Sequence, residues 1–247
     1  MAPTAAPPAS TPAPRVEPGV APLRAGQGRS FLLRRLHSLS GIFPVGFYLI
    51  EHMVSNAFAT NGPKAYAKQV EFLVSFPFLI VIETTFIFLP ILFHSVYGFY
   101  IWYRGESNLG DYPWTGNWMY AAQRWTGGLA FAYMAFHTWE MRFSGVHLID
   151  HPGAAFGKVQ LAFENPWVLI FYVAGIVAAT WHFSYGVWLF AAKWGITVGE
   201  QARQRFGYVC FAMAIVFLTV WMMTVRSFLV WPRQPLASVI WFGFPGN

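Results

Sequence analysis

Five apolar runs dominate the chain, each separated from the next by a short polar segment. They cover about residues 36–58, 77–103, 118–139, 166–192 and 206–230. A helix needs about 20 residues to cross a hydrocarbon layer roughly 30 Å thick, and every run reaches that length. The connections carry turn formers, among them Asn61-Gly62-Pro63, Asn108-Leu109-Gly110-Asp111, His151-Pro152-Gly153 and Gly199-Glu200. Unbroken length points to helices, because a barrel strand needs only about ten alternating residues. The pattern predicts an all-α membrane protein of five transmembrane helices. Pro44, Pro77 and Pro90 are expected to kink or start helices. Residues 1–29 are rich in Pro and Ala and hold no apolar run, so they read as a disordered tail ahead of a membrane domain over 30–247.

Composition supports that class. Hydrophobic residues make up 56% of the chain and charged ones only 11%, against about 25% charged in an ordinary soluble domain. The net charge of +6 does not point to nucleic acid, since basic residues gather at the cytoplasmic ends of membrane helices. Ten of the 16 lysines and arginines fall on the N-terminal side of the predicted topology, which places the N-terminus in the cytoplasm. Trp114, Trp118, Trp139, Trp167, Trp188, Trp194 and Trp231 sit near predicted span ends, where indole rings favour the interface. The lone Cys210 excludes an intrachain disulfide, a thiolate-held iron–sulfur cluster and a covalent C-x-x-C-H haem site.

Ionisable groups inside a membrane are costly and mark function by default. Four of the five spans carry one histidine each within them: His52, His94, His137 and His182. With a rise of about 1.5 Å per residue, His52 and His137 both lie roughly 20 Å above the cytoplasmic edge. His94 and His182, on descending helices, lie roughly 10–12 Å above it. An outer pair and an inner pair result, each drawn from two helices, and each able to meet a flat macrocycle from its two faces. Iron with two imidazole ligands has no open position and carries electrons rather than oxygen. The four histidines are thus candidate axial ligands, and iron ligands, of two haems b. Gly98, Gly127, Gly128 and Gly186 offer room beside them, and Arg34, Arg35 and Arg124 are candidates for the inner propionates. Each ligand imidazole also needs an acceptor for its second nitrogen, commonly a backbone carbonyl one turn earlier.

The stretch Arg34-Arg35-Leu36-His37-Ser38-Leu39-Ser40-Gly41 is followed in order by PVGFYLIEH, FLPILFHSVYGFYIWY, NWMYAAQRWTGG, FHTWEMR and WHFSYGVWLFAAKWGITV. In combination these resemble the cytochrome b anchor subunit of dihaem succinate:menaquinone oxidoreductases and fumarate reductases, over about residues 30–228. The resemblance implies a haem-bearing four-helix bundle with a fifth peripheral helix, in a bacterial cytoplasmic membrane. It implies His94 with His182 at the haem proximal to the peripheral subunits, and His52 with His137 at the distal one. The implied partners are a flavoprotein, where succinate is oxidised, and an iron–sulfur protein. Electrons would then reach menaquinone through this subunit, which performs no succinate chemistry of its own.

Other polar residues need separate readings. His37, beside Arg34 and Arg35, is expected to be an interfacial residue or a propionate contact, too near the membrane edge to be an axial ligand. Glu140 beside Arg142 reads as a helix-end charge group. Glu71, in the first outer loop, and Glu83 are candidates for proton transfer to a quinone; related quinol-oxidising enzymes use a glutamate at roughly the position of Glu71. A quinol:fumarate reductase anchor is the nearest alternative. A proton-coupled transporter is the alternative from another class, though no internal repeat of the transporter kind is visible.

Overall fold

The computed structural model describes residues 25–105 and 109–234, and among them the regular structure is entirely helical. The remaining residues, with most of the expected disordered tail, lie outside the described part; residues 25–29 of that tail begin the first helix. The α-helices are α1 (Ala25–Ile42), α2 (Val45–Ala57), α3 (Pro63–Val74), α4 (Leu79–Glu83), α5 (Leu89–Arg104), α6 (Thr115–Thr138), α7 (Ala155–Ala162), α8 (Pro166–Lys193) and α9 (Glu200–Val230).

Among the described residues, three helices are long and apolar enough to cross a membrane: Leu79–Arg104, which joins α4 to α5, then Pro166–Lys193 and Glu200–Val230. The other two expected spans differ for identifiable reasons. The first is broken at Phe43-Pro44 into α1 of 18 residues and α2 of 13, because Pro44 has no N–H to continue the ladder. The third coincides with α6, whose 24 residues include Asn117, Gln123 and Arg124 and are correspondingly less apolar.

Among the described residues two helices contain a π-turn, at Thr84–Phe88 and Trp139–Phe143. The first lies just before Pro90, whose missing N–H strips an ordinary partner from the turn before it. Glu83 directly precedes one π-turn and Arg142 lies within the other; their 2.7 Å ion pair joins the two segments.

Packing runs α1 against α5 and α8, α6 along α8, α8 along α9, and α2 against α9. Much of the α4–α5 surface is apolar and exposed, as at Ile80, Phe86, Leu92 and Val96, a surface suited to lipid. The best-buried core lies at the end of the helices that carries α3 and α7. There Tyr66, Phe156, Val159, Phe163, Tyr172, Ile176, Val225 and Phe228 pack together, bringing the loop helices α3 and α7 onto α8 and α9.

Two buried polar residues of α7 close helix ends in that cap. The last carbonyls of a helix have no partner within it. Lys158 Nζ donates to the carbonyls of Met141, Ser144 and Val146 at 3.1, 2.6 and 2.8 Å, a cation at the negative end of α6 and the π-turn that extends it. Burial pushes the Lys158 amine down from the ordinary lysine range, and the charge of Glu140 works against that shift. Gln160 Nε2 donates to the carbonyls of Phe228 and Trp231 at 3.2 and 3.0 Å, closing α9. At the start of α8, Asn165 accepts from the Trp167 amide at 3.0 Å, with Pro166 as the first helical residue. Lys158→Met should therefore destabilise the protein by about 2–4 kcal/mol, since an unsatisfied buried carbonyl costs about 1–3 kcal/mol. Thermal unfolding in detergent would check this; an unchanged midpoint would show that the three bonds are not needed.

Candidate functional site

One elongated cavity of about 1340 Å³ runs through the helices, lined by His37, His52, His94, His137 and His182. A pocket for a single small ligand is typically about 300–1,000 Å³, so this one exceeds that range. The histidines divide into two groups along it. His94 of α5 and His182 of α8 have ring centres 6.2 Å apart with planes at 88°. His52 of α2 and His137 of α6 have ring centres 5.7 Å apart with planes at 70°.

The inner pair is built on a repeated device. His94 Nδ1 donates to the carbonyl of His37 on α1, and His182 Nδ1 to the carbonyl of Gln123 on α6, each at 3.0 Å. A carbonyl can only accept, so each Nδ1 carries the proton and each Nε2 is left with its lone pair. In both cases a glycine stands four residues after the accepting carbonyl. A Cβ at Gly41 would lie 2.5 Å from His94 Cε1, and one at Gly127 would lie 2.7 Å from His182 Cε1. The missing side chain lets the imidazole lie flat against the neighbouring helix and reach its backbone. Gln123 reciprocates, donating from Nε2 to the carbonyl of His182 at 2.9 Å.

These acceptors differ from the one expected from the sequence. The carbonyl lies on a neighbouring helix, because the one a turn earlier in the histidine's own helix is engaged in that helix's ladder. Of the four glycines singled out in the sequence, Gly127 faces His182, Gly98 faces His37, Gly128 faces Trp102 and Gly186 faces Gln123. Gly41 and Gln123 were not singled out; the signal for both is the spacing His37-x-x-x-Gly41 and Gln123-x-x-x-Gly127, one helical turn.

The outer pair is held by side chains instead. Tyr172 Oη donates to Glu140 Oε2 at 2.7 Å and lies 3.3 Å from His137 Nδ1. With its own proton committed to the carboxylate, that hydroxyl accepts from the imidazole. Asn56 Nδ2 donates to the carbonyl of His52 at 2.8 Å and lies within 3.4 Å of both ring nitrogens, while Tyr66 donates to Asn56 Oδ1 at 2.9 Å. Tyr48 Oη is 3.5 Å from His52 Nδ1.

The remaining candidates fall as follows. His37 stacks on His94, with ring centres 4.1 Å apart, and lines the cavity. Arg34, Arg124, Lys193 and Arg203 give the same end of the cavity a basic lining, and the Arg124 guanidinium bonds Tyr120 Oη. Arg35 does not line it; its guanidinium lies over the rings of Phe31 and Trp194, 5.0 and 4.9 Å from their centres. Glu140 pairs with Tyr172 rather than with Arg142, whose partner is Glu83. Glu71 is exposed on α3, whereas Gln69, Val70, Leu73 and Val74 of the same helix line the cavity.

Residues 106–221 match the family described as the succinate dehydrogenase/fumarate reductase transmembrane subunit. Among characterised proteins, the chain is similar to the succinate dehydrogenase cytochrome b558 subunit of Bacillus subtilis (strain 168). The two are 36% identical over 203 residues, which is 81% of this chain and 98% of that one. An alignment spanning nearly the whole of that relative, with a transmembrane, all-helical architecture, shows that the chain belongs to the cytochrome b subunits of the succinate dehydrogenase/fumarate reductase transmembrane family.

Proposed function

We propose that the chain is the dihaem membrane anchor of a succinate dehydrogenase, with His94 and His182 holding an inner haem b and His52 and His137 an outer one. The observation that carries this reading is the pair of histidine couples in one cavity, with ring centres 6.2 and 5.7 Å apart. Two imidazoles bound to one metal from opposite sides place their ring centres roughly 6 Å apart, given metal–nitrogen bonds of about 2 Å. The free Nε2 lone pairs of His94 and His182 are the donors such a metal needs. Arg34 and Arg124, with Lys193, would meet propionate carboxylates at the basic end. When bound, the haems supply two one-electron carriers between an iron–sulfur partner on the cytoplasmic side and menaquinone in the membrane.

The chain's own residues orient and insulate. The Nδ1 bonds fix each inner imidazole's tautomer and direction, and Gly41 and Gly127 let the rings seat against α1 and α6. In this reading α1 with α2, α5, α6 and α8 form the haem-bearing bundle, α9 is the fifth helix, and all five cross a bacterial cytoplasmic membrane with the N-terminus inside. The peripheral partners are a flavoprotein and an iron–sulfur subunit, docked at the basic inner face. Glu71 stands on the outer side as a surface carboxylate that could exchange protons with a quinone. Paired histidines favour this over a proton-coupled transporter, in which nothing requires two rings at metal-spanning distance.

The testing experiment is a reduced-minus-oxidised optical spectrum of the full-length chain, with haem measured per chain. Two low-spin b-type haems are expected, with His52→Ala and His94→Ala each removing a different one. Protein free of haem after production with haem supplied would overturn the proposal. Gly127→Val should perturb or empty the inner site alone, seen as loss of the component that His94→Ala also removes. Retention of both components would show that the glycine contact is dispensable.

A further inference from the structure

The two histidine pairs differ in what receives the imidazole proton. Both inner rings donate to neutral backbone carbonyls. In the outer pair, His137 donates to Tyr172 Oη, which donates in turn to Glu140 Oε2. The ring is therefore one hydroxyl away from a carboxylate, through contacts of 3.3 and 2.7 Å.

This chain is built rather than incidental. Tyr172 is 4% exposed and packed against Phe163, Tyr133 and Phe136, so its hydroxyl has one direction open to it. Glu140 is the second residue of the π-turn Trp139–Phe143 and lies three residues after His137, which puts the ring and the carboxylate on the same side of that helix. Two basic groups near Glu140 are otherwise engaged. Arg142 pairs with Glu83, and Lys158 bonds three carbonyls while interacting with Glu140 only through its charge. The phenol is thus the hydrogen-bonded partner that the structure gives this carboxylate.

We propose that Tyr172 and Glu140 are positioning residues that tune the outer site, an inference that rests on the two-haem reading. A hydrogen bond relayed to a carboxylate makes a ligating imidazole a stronger donor. A fixed anion beside a metal also favours its more positive, oxidised state. Both effects act in one direction: they hold the midpoint potential of the His52/His137 site below the value His137 would give on its own. The inner site, with carbonyl acceptors alone, lacks the device.

The test is a redox titration of membranes containing the full-length chain, as wild type, Tyr172→Phe, Glu140→Gln and the double variant. The component lost in His52→Ala identifies the outer site. Each single variant should raise the midpoint of that component and alter its electron paramagnetic resonance position, with the inner component unmoved. Because the two residues form one chain, the double variant should move little further than Glu140→Gln alone. Tyr172→Phe keeps the ring and its packing, so a purely structural role predicts no shift there. Unchanged potentials, a shift shared by both components, or loss of the outer component in Glu140→Gln beside an unaltered Tyr172→Phe would each overturn the inference. Absence of haem from the wild type would instead overturn the underlying two-haem reading.

Discussion

An imidazole in a hydrocarbon interior must give its N–H to an acceptor or forfeit several kcal/mol. In a membrane helix the near carbonyls are already spent on the helix itself, so the acceptor has to come from elsewhere. This protein solves the problem twice by bringing two helices so close that a histidine of one reaches the backbone of the other. That approach is what the glycines at 41 and 127 permit. The crossing of α1 with α5 and of α6 with α8 is therefore coupled to the direction in which His94 and His182 point. Fixing the proton on Nδ1 also decides which nitrogen faces the cavity. Helix packing, ring orientation and donor chemistry are one arrangement here.

The outer half meets the same requirement with side chains, and it needs a stiffer surrounding to do so. A tyrosine hydroxyl can rotate away, whereas a backbone carbonyl in a helix cannot. The cap of α3 and α7 against α8 and α9 supplies the rigidity: Tyr66 and Tyr172 are both members of that core, and both carry hydrogen bonds toward the histidine pair. Lys158 and Gln160 anchor the cap by closing two helix ends from within. The loop helices, which a span-by-span description treats as connections, are thus part of what holds the outer histidines.

Sequence alone conveys much of this because the membrane imposes simple rules. Apolar runs of fixed length marked the helices, and counting residues along them paired His52 with His137 and His94 with His182, the rings that lie beside one another. What pattern could not convey is direction around a helix axis. Arg35 follows Arg34 in sequence, but a step of about 100° turns it away from the cavity and onto Trp194. Glu140 stands two residues from Arg142, positions that do not face each other on a helix, and a π-turn changes the local angle again. His37, by its place near the membrane edge, reads as an interfacial residue or a propionate contact and not as an axial ligand. Its carbonyl nonetheless receives the His94 proton, an interaction no side-chain pattern encodes. Pro44, by contrast, is legible, and it divides the first span where a proline should.

The difference between backbone and side-chain acceptors also separates what can vary from what cannot. A carbonyl is present whatever residue carries it, so the inner pair depends on the glycines that clear the path and tolerates change at the accepting position. An acceptor made of Tyr172 and Glu140 disappears with a single substitution, yet it can be tuned by one as well. A relay that must deliver electrons to a variable acceptor gains from having its adjustable end on the side where that acceptor binds. In the proposed assignment that side is the outer one, where the hydrogen-bonding partners are side chains.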